Sequence, residues 1–345
     1  MNEYSALKAA WHTERIKSLR ETGRCVPATV HIVISDTCNQ NCSYCAYRAD
    51  DGISVENFGG ANPNRMIPKE KVFEILDDLV DMGVDSVQFT GGGEPTTHPD
   101  RLEIFTRALD KGLRVGLFTN GVKRVPPHCL THMDWIRYSI DAGSPETYAK
   151  IRKSDKFDKV WEHIDEVVKH PRHTTIGINF VVMPENYEEI FLATSIAKAS
   201  GASYIRLTAM FSKAGVEPYR DINLAILNEI QRAKNLESHS FTVHDVYGQR
   251  LSEIARGAPH HPFCGRQHLA TYIGGNLKVY RCCTTAYTTR GEAGDLSEQS
   301  FRHWWETTAA FDNFDARECS ECQFEHKNDI IRYLVDKHPT HVEFV

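Results

Sequence analysis

The sequence predicts an α/β fold of the parallel strand–helix kind, followed by a smaller cysteine-rich unit. Three observations predict it. Between residues 28 and 209, short β-branched runs alternate six times with helical patterns. Glycine or proline punctuates many of the joins. Cysteines crowd both flanks of this region and nearly avoid its middle. Such alternation gives parallel strands linked by crossover helices, and functional residues then gather at the C-terminal ends of the strands.

The elements follow in order. Residues 1–25 read as one amphipathic helix, with Leu7, Ala10, Trp11, Ile16 and Leu19 near helical spacing. The β-branched run at 28–35 is the first strand. Residues 68–82 form a helix that opens on Pro68 and stops at Gly83. Strands at 85–90, 114–119, 136–140, 175–182 and 204–209 complete the six, with helices at 100–111, from 145, at 160–169 and at 188–199. Beyond Phe211 the alternation stops. A helix at 223–236 and a strand at 241–246 lead to a linker at 257–263. Two runs flanking Gly274-Gly275-Asn276 read as a hairpin. A helix at 297–311 carries Trp304 and Trp305, and another is expected at 328–337. The divisions are therefore an N-terminal helix (1–25), the strand–helix array (26–212), a connection (213–262) and a C-terminal unit (263–345).

The chain has 345 residues and a net charge of −6. That balance weighs against a duplex nucleic-acid partner, which phosphate neutralisation usually makes basic, while leaving room for a local basic patch. No apolar run approaches a membrane span, and the charged N-terminus lacks the pattern of an export signal. Ten cysteines then belong in a reducing, cytoplasmic setting, where metal or redox chemistry explains them better than disulfides.

Three of them, Cys38, Cys42 and Cys45, lie in a loop directly after the first strand. Soft thiolates at this spacing select zinc or an iron–sulfur cluster. A structural zinc site wants four protein ligands, and no nearby fourth is evident. A four-iron cluster held by three cysteines leaves one iron open for something that is not protein. Further polar residues sit at the later strand ends: Gly91-Gly92-Gly93-Glu94, Asn120, Ser139, Asp141, Asn179 and Arg206. Strand alternation puts Ser139 and Asp141 on one face. The Gly/Asn-rich segment 49–67 is long enough for a lid or binding loop.

The Cys-x3-Cys-x2-Cys spacing, with Tyr44 before its last cysteine, resembles the signature of the radical S-adenosylmethionine superfamily. Gly92-Gly93-Glu94-Pro95 is similar to that family's GGEP motif. The resemblance implies a [4Fe–4S] cluster on the triad, with S-adenosylmethionine chelated at its open iron. It implies contacts to that cofactor from Tyr44, Gly91, Gly92, Gly93, Glu94, Asn120, Ser139, Asp141, Asn179 and Arg206, with Glu94 facing the methionine ammonium. The six-strand array becomes a partial (β/α)6 TIM-like barrel.

A second group, Cys264, Cys282, Cys319 and Cys322, lies in the C-terminal unit, with Cys283 as an alternative to Cys282. By chemistry alone zinc and [4Fe–4S] both suit it. Together with the triad it resembles the SPASM/Twitch group, in the shorter Twitch form with one auxiliary [4Fe–4S] cluster. Leu277 stands where that pattern usually has glycine. The resemblance implies an enzyme that abstracts hydrogen from a small substrate, giving oxidation, epimerisation or rearrangement. A carbohydrate, aminoglycoside-like compound or nucleoside is favoured over a ribosomal peptide or a nucleic-acid base. An external flavodoxin- or ferredoxin-type donor would supply electrons. Cys129 and Cys283 are candidate hydrogen donors, with a small buried apolar role as the alternative for them and for Cys25. The rival class is a non-catalytic iron–sulfur carrier.

Overall fold

A computed structural model of the chain describes residues 5–60, 62–170, 173–337 and 340. The first four residues of the expected N-terminal helix and residue 61 of the 49–67 segment lie outside these. The described N-terminal stretch is a 3-10 turn, Ala6–Trp11, then α1 (Thr13–Thr22), with the break at His12. Ile16 and Leu19 of α1 are buried against Leu269 and Ile331.

The six expected strands are present as β1 (Thr29–Ile32), β2 (Ser86–Phe89), β3 (Arg114–Thr119), β4 (Trp135–Ser139), β5 (Thr175–Val182) and β6 (Tyr204–Ala209). Crossovers run through α2 (Lys69–Met82), α3 (Arg101–Asp110), α4 (Pro127–Leu130), α5 (Pro145–Arg152), α6 (Phe157–Lys169) and α7 (Ile190–Ala199). Gly83, at φ 80°, closes α2 in the left-handed conformation and donates its N–H back to Leu79 and Val80. The Ser144 side chain accepts from the Thr147 N–H and starts α5. Next come α8 (Asn223–Lys234), β7 (Thr242–Asp245), α9 (Tyr247–Arg256), α10 (Arg266–Leu269), β8 (Ala270–Ile273), β9 (Lys278–Tyr280), β10 (Glu292–Asp295), α11 (Phe301–Thr307) and α12 (Glu325–Val335).

All ten strands form one sheet, in the order β10-β9-β8-β1-β2-β3-β4-β5-β6-β7. β1 to β7 run parallel in sequence order. β8 lies parallel to β1 on its other side, with Thr29 opposite Ala270. The barrel sheet therefore runs across the expected boundaries at 212 and 262. β7 extends one edge, and the C-terminal hairpin extends the other.

Strand alternation divides the sheet cleanly. Val30, Ile32, Val87, Phe89, Ile136 and Ile178 are buried toward the helices, against Val72, Ile75 and Leu79 of α2 among others. The intervening positions, His31, Gln88, Arg137, Ser139, Asn179 and Arg206, line an interior cavity. Polar residues on that face are what make it a site.

Several elements depart from expectation, the short α4 and α10 among them. α9 lies where no helix was expected, and is fixed by burial of Tyr247 and Ile254. The tryptophan helix is shorter than 297–311. A turn bonding Ser297 to Asp295 precedes it, Ser300 caps it, and Thr308 is extended. β10 has no apolar alternation, and Gly294 in it packs beneath Trp304, where a Cβ would stand 2.0 Å from Nε1. The 49–67 segment is packed rather than free. Phe58 is fully buried between Tyr47 and Tyr287, and the Asn57 N–H bonds the Tyr287 carbonyl at 2.8 Å. Burying such a phenyl ring contributes about 2–3 kcal/mol, which ties the segment to the hairpin.

Candidate active site

The strand ends open onto a cavity of about 790 Å³. Cys38, Cys42 and Cys45 line it together. The loop carrying them is shaped by its own turn, in which the Cys45 N–H bonds the Cys42 carbonyl and the Ala49 N–H bonds that of Cys45. Hydrogen-bond donors point at two of the sulfurs. Arg152 Nη1 reaches Cys42 Sγ at 3.4 Å, and Asn120 Nδ2 reaches Cys38 Sγ at 3.8 Å. Burial pushes all three thiols up from their ordinary range. Thiols so placed give up their protons when a metal takes the sulfur, and the two donors then help to balance the thiolate charge. Among the described residues, no three His, Cys, Asp or Glu side chains form a site for a single metal ion. The triad shares a cavity wall, as ligands to separate irons of one cluster do.

The glycine turn after β2 presses on this loop. A Cβ on Gly93 would stand 2.3 Å from the Thr37 carbonyl oxygen, and one on Gly92 would meet the Phe58 ring at 2.4 Å. These glycines thus admit the cysteine loop itself, besides lining the cavity. Glu94 is buried, and both of its oxygens are engaged. Oε1 accepts from the Thr96 N–H and hydroxyl and the Thr119 hydroxyl, and Oε2 accepts from the Asn120 N–H at 2.7 Å. Its carboxylate therefore clamps the turn after β2 to the end of β3. Burial raises its pKa, against those hydrogen bonds. Asn120 is similarly committed, donating to Asn39 Oδ1 at 2.7 Å and accepting from the Val122 N–H.

Ser139, Asn179 and Arg206 form a row across three neighbouring strands. Ser139 pairs with Asn179, and Asn179 with Arg206. Arg206 Nη1 donates to Asn179 Oδ1 at 3.2 Å. All three line the cavity. The pairing register creates this row, and sequence position alone does not display it.

Two expected site residues do not reach the cavity. Asp141 lies beyond the end of β4, at φ 60°, so the strand alternation that would pair it with Ser139 has already stopped. It is fully buried, where it accepts from the Tyr44 hydroxyl and the Val181 N–H and pairs with Arg152 at 2.6 Å. It positions Tyr44, which does line the cavity. Cys129 sits in α4 within the apolar core and is absent from the cavity wall. Cys283 does line that wall and accepts from Gln323 Nε2 at 3.5 Å.

Cys264, Cys282, Cys319 and Cys322 lie in the C-terminal unit, where their charges act on one another. Burial, and then the charge of Cys282, push the Cys264 thiol up to about 12 and the Cys319 thiol to about 11. Cys322 is pushed to about 12 by burial and by the other three. The charge of Cys282 acts on all three of the others, whereas Cys283 lines the cavity. Cys25 is buried, and its thiol is also pushed up to about 12.

Of the other participants, Tyr47 and Arg48 stand just past Cys45, where the sequence offers them to the cluster or the cavity, and both line that cavity; Arg152 and Asp36 carried no sequence signal. Arg152 bridges Asp141 and Cys42. Asp36 is fully buried beside the cysteine loop, accepting from Tyr287 and pairing with Arg65 at 2.6 Å. Arg48 Nη2 holds the Asp36 carbonyl at 3.0 Å. Tyr47, two residues past the triad, bonds Tyr272 of β8 hydroxyl to hydroxyl at 3.1 Å. Each of these joins distant segments, which only the fold brings together.

Residues 32–193 match the Radical SAM superfamily. The chain carries a radical SAM domain. Domains of this kind bind S-adenosylmethionine and a [4Fe–4S] cluster, and the converging triad is suited to hold one. Over 182 residues the chain is 30% identical to a "Probable GTP 3',8-cyclase" of Saccharolobus islandicus, covering 52% of this chain and 55% of that protein. It is 28% identical over 164 residues to "Molybdenum cofactor biosynthesis protein moc-5" of Caenorhabditis elegans, covering 46% of this chain and 26% of that one. The chain thus spans about half the length of the cyclases it matches. Among solved structures, Streptococcus suis SuiB bound to precursor peptide SuiA superposes with a TM-score of 0.65 at 15% identity, covering 91% of this chain and 72% of that one. Native anSMEcpe with bound AdoMet gives 0.60 at 16% identity, covering 88% of each chain. These likenesses show the fold. Among the described residues no helix is long and apolar enough to cross a membrane.

Proposed function

We propose that the chain is a radical S-adenosylmethionine enzyme that cleaves its cofactor reductively and takes a hydrogen atom from a small substrate in the cavity. One observation carries the reading: three thiols, a glycine turn and a row of polar strand residues open onto a single cavity. When bound, cluster and cofactor supply an electron to the sulfonium bond and a 5'-deoxyadenosyl radical to the substrate. Cys38, Cys42 and Cys45 would hold the cluster. Asn120 and Arg152 aim N–H groups at two of their sulfurs. Glu94 fixes the glycine turn against β3. Ser139 and Asn179 offer a hydroxyl and an amide toward the cofactor's polar groups, and Tyr44, held by Asp141, walls the same space.

Cys264, Cys282, Cys319 and Cys322 would hold one auxiliary [4Fe–4S] cluster. With four protein ligands such a cluster would exchange electrons and would leave no iron open to substrate. The charges of Cys264, Cys282 and Cys319 all reach Cys322, which supports their sharing a centre. The substrate class favoured is a nucleoside or nucleotide, supported by the cyclase relatives' printed names. An external one-electron donor of flavodoxin or ferredoxin type would start each turnover.

Anaerobic reconstitution tests this. About eight iron and eight sulfide per chain are expected from two four-iron clusters. With S-adenosylmethionine and a strong reductant, 5'-deoxyadenosine should form, and Cys45→Ala should abolish it. A protein that takes up zinc alone, or never cleaves the cofactor, overturns the reading.

A further inference from the structure

Part of the cavity wall is cationic although the chain as a whole is acidic. Arg206 of β6, Arg250 of α9, Arg266 of α10 and Lys327 of α12 all line it. Two carboxylates line the same cavity, Glu94 and Glu253. Glu94 is engaged by Thr96, Thr119 and Asn120. Glu253 pairs with Arg250 at 3.1 Å and accepts from Gln249.

Arg266 and Lys327 are left without a carboxylate among the described residues. They share one support, the Phe324 ring, with Arg266 Cζ 4.0 Å and Lys327 Nζ 5.7 Å from its centroid. Arg266 Nε is buried, with no hydrogen-bond partner among the described residues. Burial, and then the charge of Arg266 and those of Lys8 and Arg206, push Lys327 down to about 8, against the opposing charge of Glu253. Half-buried cations that share one carboxylate, itself already paired with Arg250, repel one another and lose hydration. A ligand that brings negative charge removes both costs.

We propose that this wall is the anchor for a phosphate-bearing substrate, with the phosphate against Arg266 and Lys327 and with Arg206 and Arg250 flanking it. A guanidinium fork beside a point-charge ammonium suits a multiply charged phosphate better than a single carboxylate. The anchor lies in the cavity that holds the cysteine triad, so a tethered substrate presents its other end within that same space. The assignment deepens the functional reading above and rests on it for the word substrate; the anion site itself does not.

Calorimetric titration of inorganic triphosphate, and separately of citrate, into the reconstituted protein tests the site. Triphosphate should bind, and more tightly than citrate. Arg266→Gln and Lys327→Gln should each weaken triphosphate binding at least tenfold. Arg266→Lys, which keeps the charge, should bind within a few-fold of the parent and so separates lost charge from a folding defect. Arg232→Gln, an exposed cation on α8, should change nothing. Tighter binding of citrate, no binding of triphosphate at millimolar concentration, or glutamine variants that bind like the parent would overturn the proposal. Measuring 5'-deoxyadenosine on the same preparation separates the two readings. Triphosphate binding without cofactor cleavage defeats the enzyme reading alone, and cleavage without triphosphate binding defeats the phosphate site alone.

Discussion

Two buried aspartates fasten the cysteine loop, and they do it with the same three side-chain types. Asp141 takes the Tyr44 hydroxyl and pairs with Arg152. Asp36 takes the Tyr287 hydroxyl and pairs with Arg65. The difference is where each leads. Arg152 is 5% exposed, belongs to α5 and reaches Cys42, so the Asp141 group ties the loop to the barrel. Arg65 is 31% exposed, and Tyr287 comes from beyond the hairpin, so the Asp36 group ties the loop to the C-terminal unit. One clasp is inside a single architecture. The other joins two parts of the chain that sequence alone would call separate.

Breaking the inner clasp should cost most. Arg152→Met leaves Asp141 buried without its counter-charge, an uncompensated loss of about 3–5 kcal/mol. Denaturant unfolding measures it, and a loss below about 1 kcal/mol would mean that water already shares that pair. Arg65→Met should cost less, about 1–2 kcal/mol, because its half-exposed guanidinium is partly screened. The two tyrosines sharpen the contrast further. Tyr287→Phe and Tyr44→Phe each remove a hydrogen bond to a carboxylate, about 1–2 kcal/mol apiece. Loss of the Tyr287 hydroxyl should also raise amide exchange along β8 and β9, while loss of the Tyr44 hydroxyl leaves that exchange alone.

The smallest effect is a pH dependence on β1, the strand that leads to Asp36. His31 lines the cavity beside Gln88, half-buried, and burial, ahead of the charges of Arg266 and Lys327, lowers its pKa to about 3. A histidine whose folded pKa is depressed stays neutral in the fold and protonates first in the unfolded chain. Its share of stability is therefore whole above about pH 6.5 and is lost as pH falls toward 3. Between pH 7 and pH 6 the loss is about 0.7 kcal/mol. His31→Gln should flatten that limb of the stability curve; an unchanged limb would show the imidazole to be solvated.

The parallel strands were legible because each is a short β-branched run bounded by turn residues, and β3, β5 and β6 fall on the residues that pattern marks. The triad was legible because its three thiols lie within one loop. Asp141 misled because alternation was carried one turn past the strand's end. The Ser139–Asn179–Arg206 row depends on register between strands, which no local pattern encodes. The cationic wall comes from β6, α9, α10 and α12; of its members only Arg206, at a strand end, stands out in the sequence, and Arg250, Arg266 and Lys327 each read as ordinary surface charges. α9 was hidden because its buried face is short and partly polar, with Glu253 among its buried residues.

The place of β8 beside β1 has a consequence for how the molecule is made. Residues 29–32 leave the ribosome well before 270–273, their second neighbour. The β2 partner follows β1 closely, whereas the opposite edge of β1 stays bare until nearly the whole barrel has emerged. Contacts of such sequence separation form late and slowly. Through all that time the loop bearing Cys38, Cys42 and Cys45 is fastened on one side only. Closing that edge is thus also the step that brings the second clasp onto the loop.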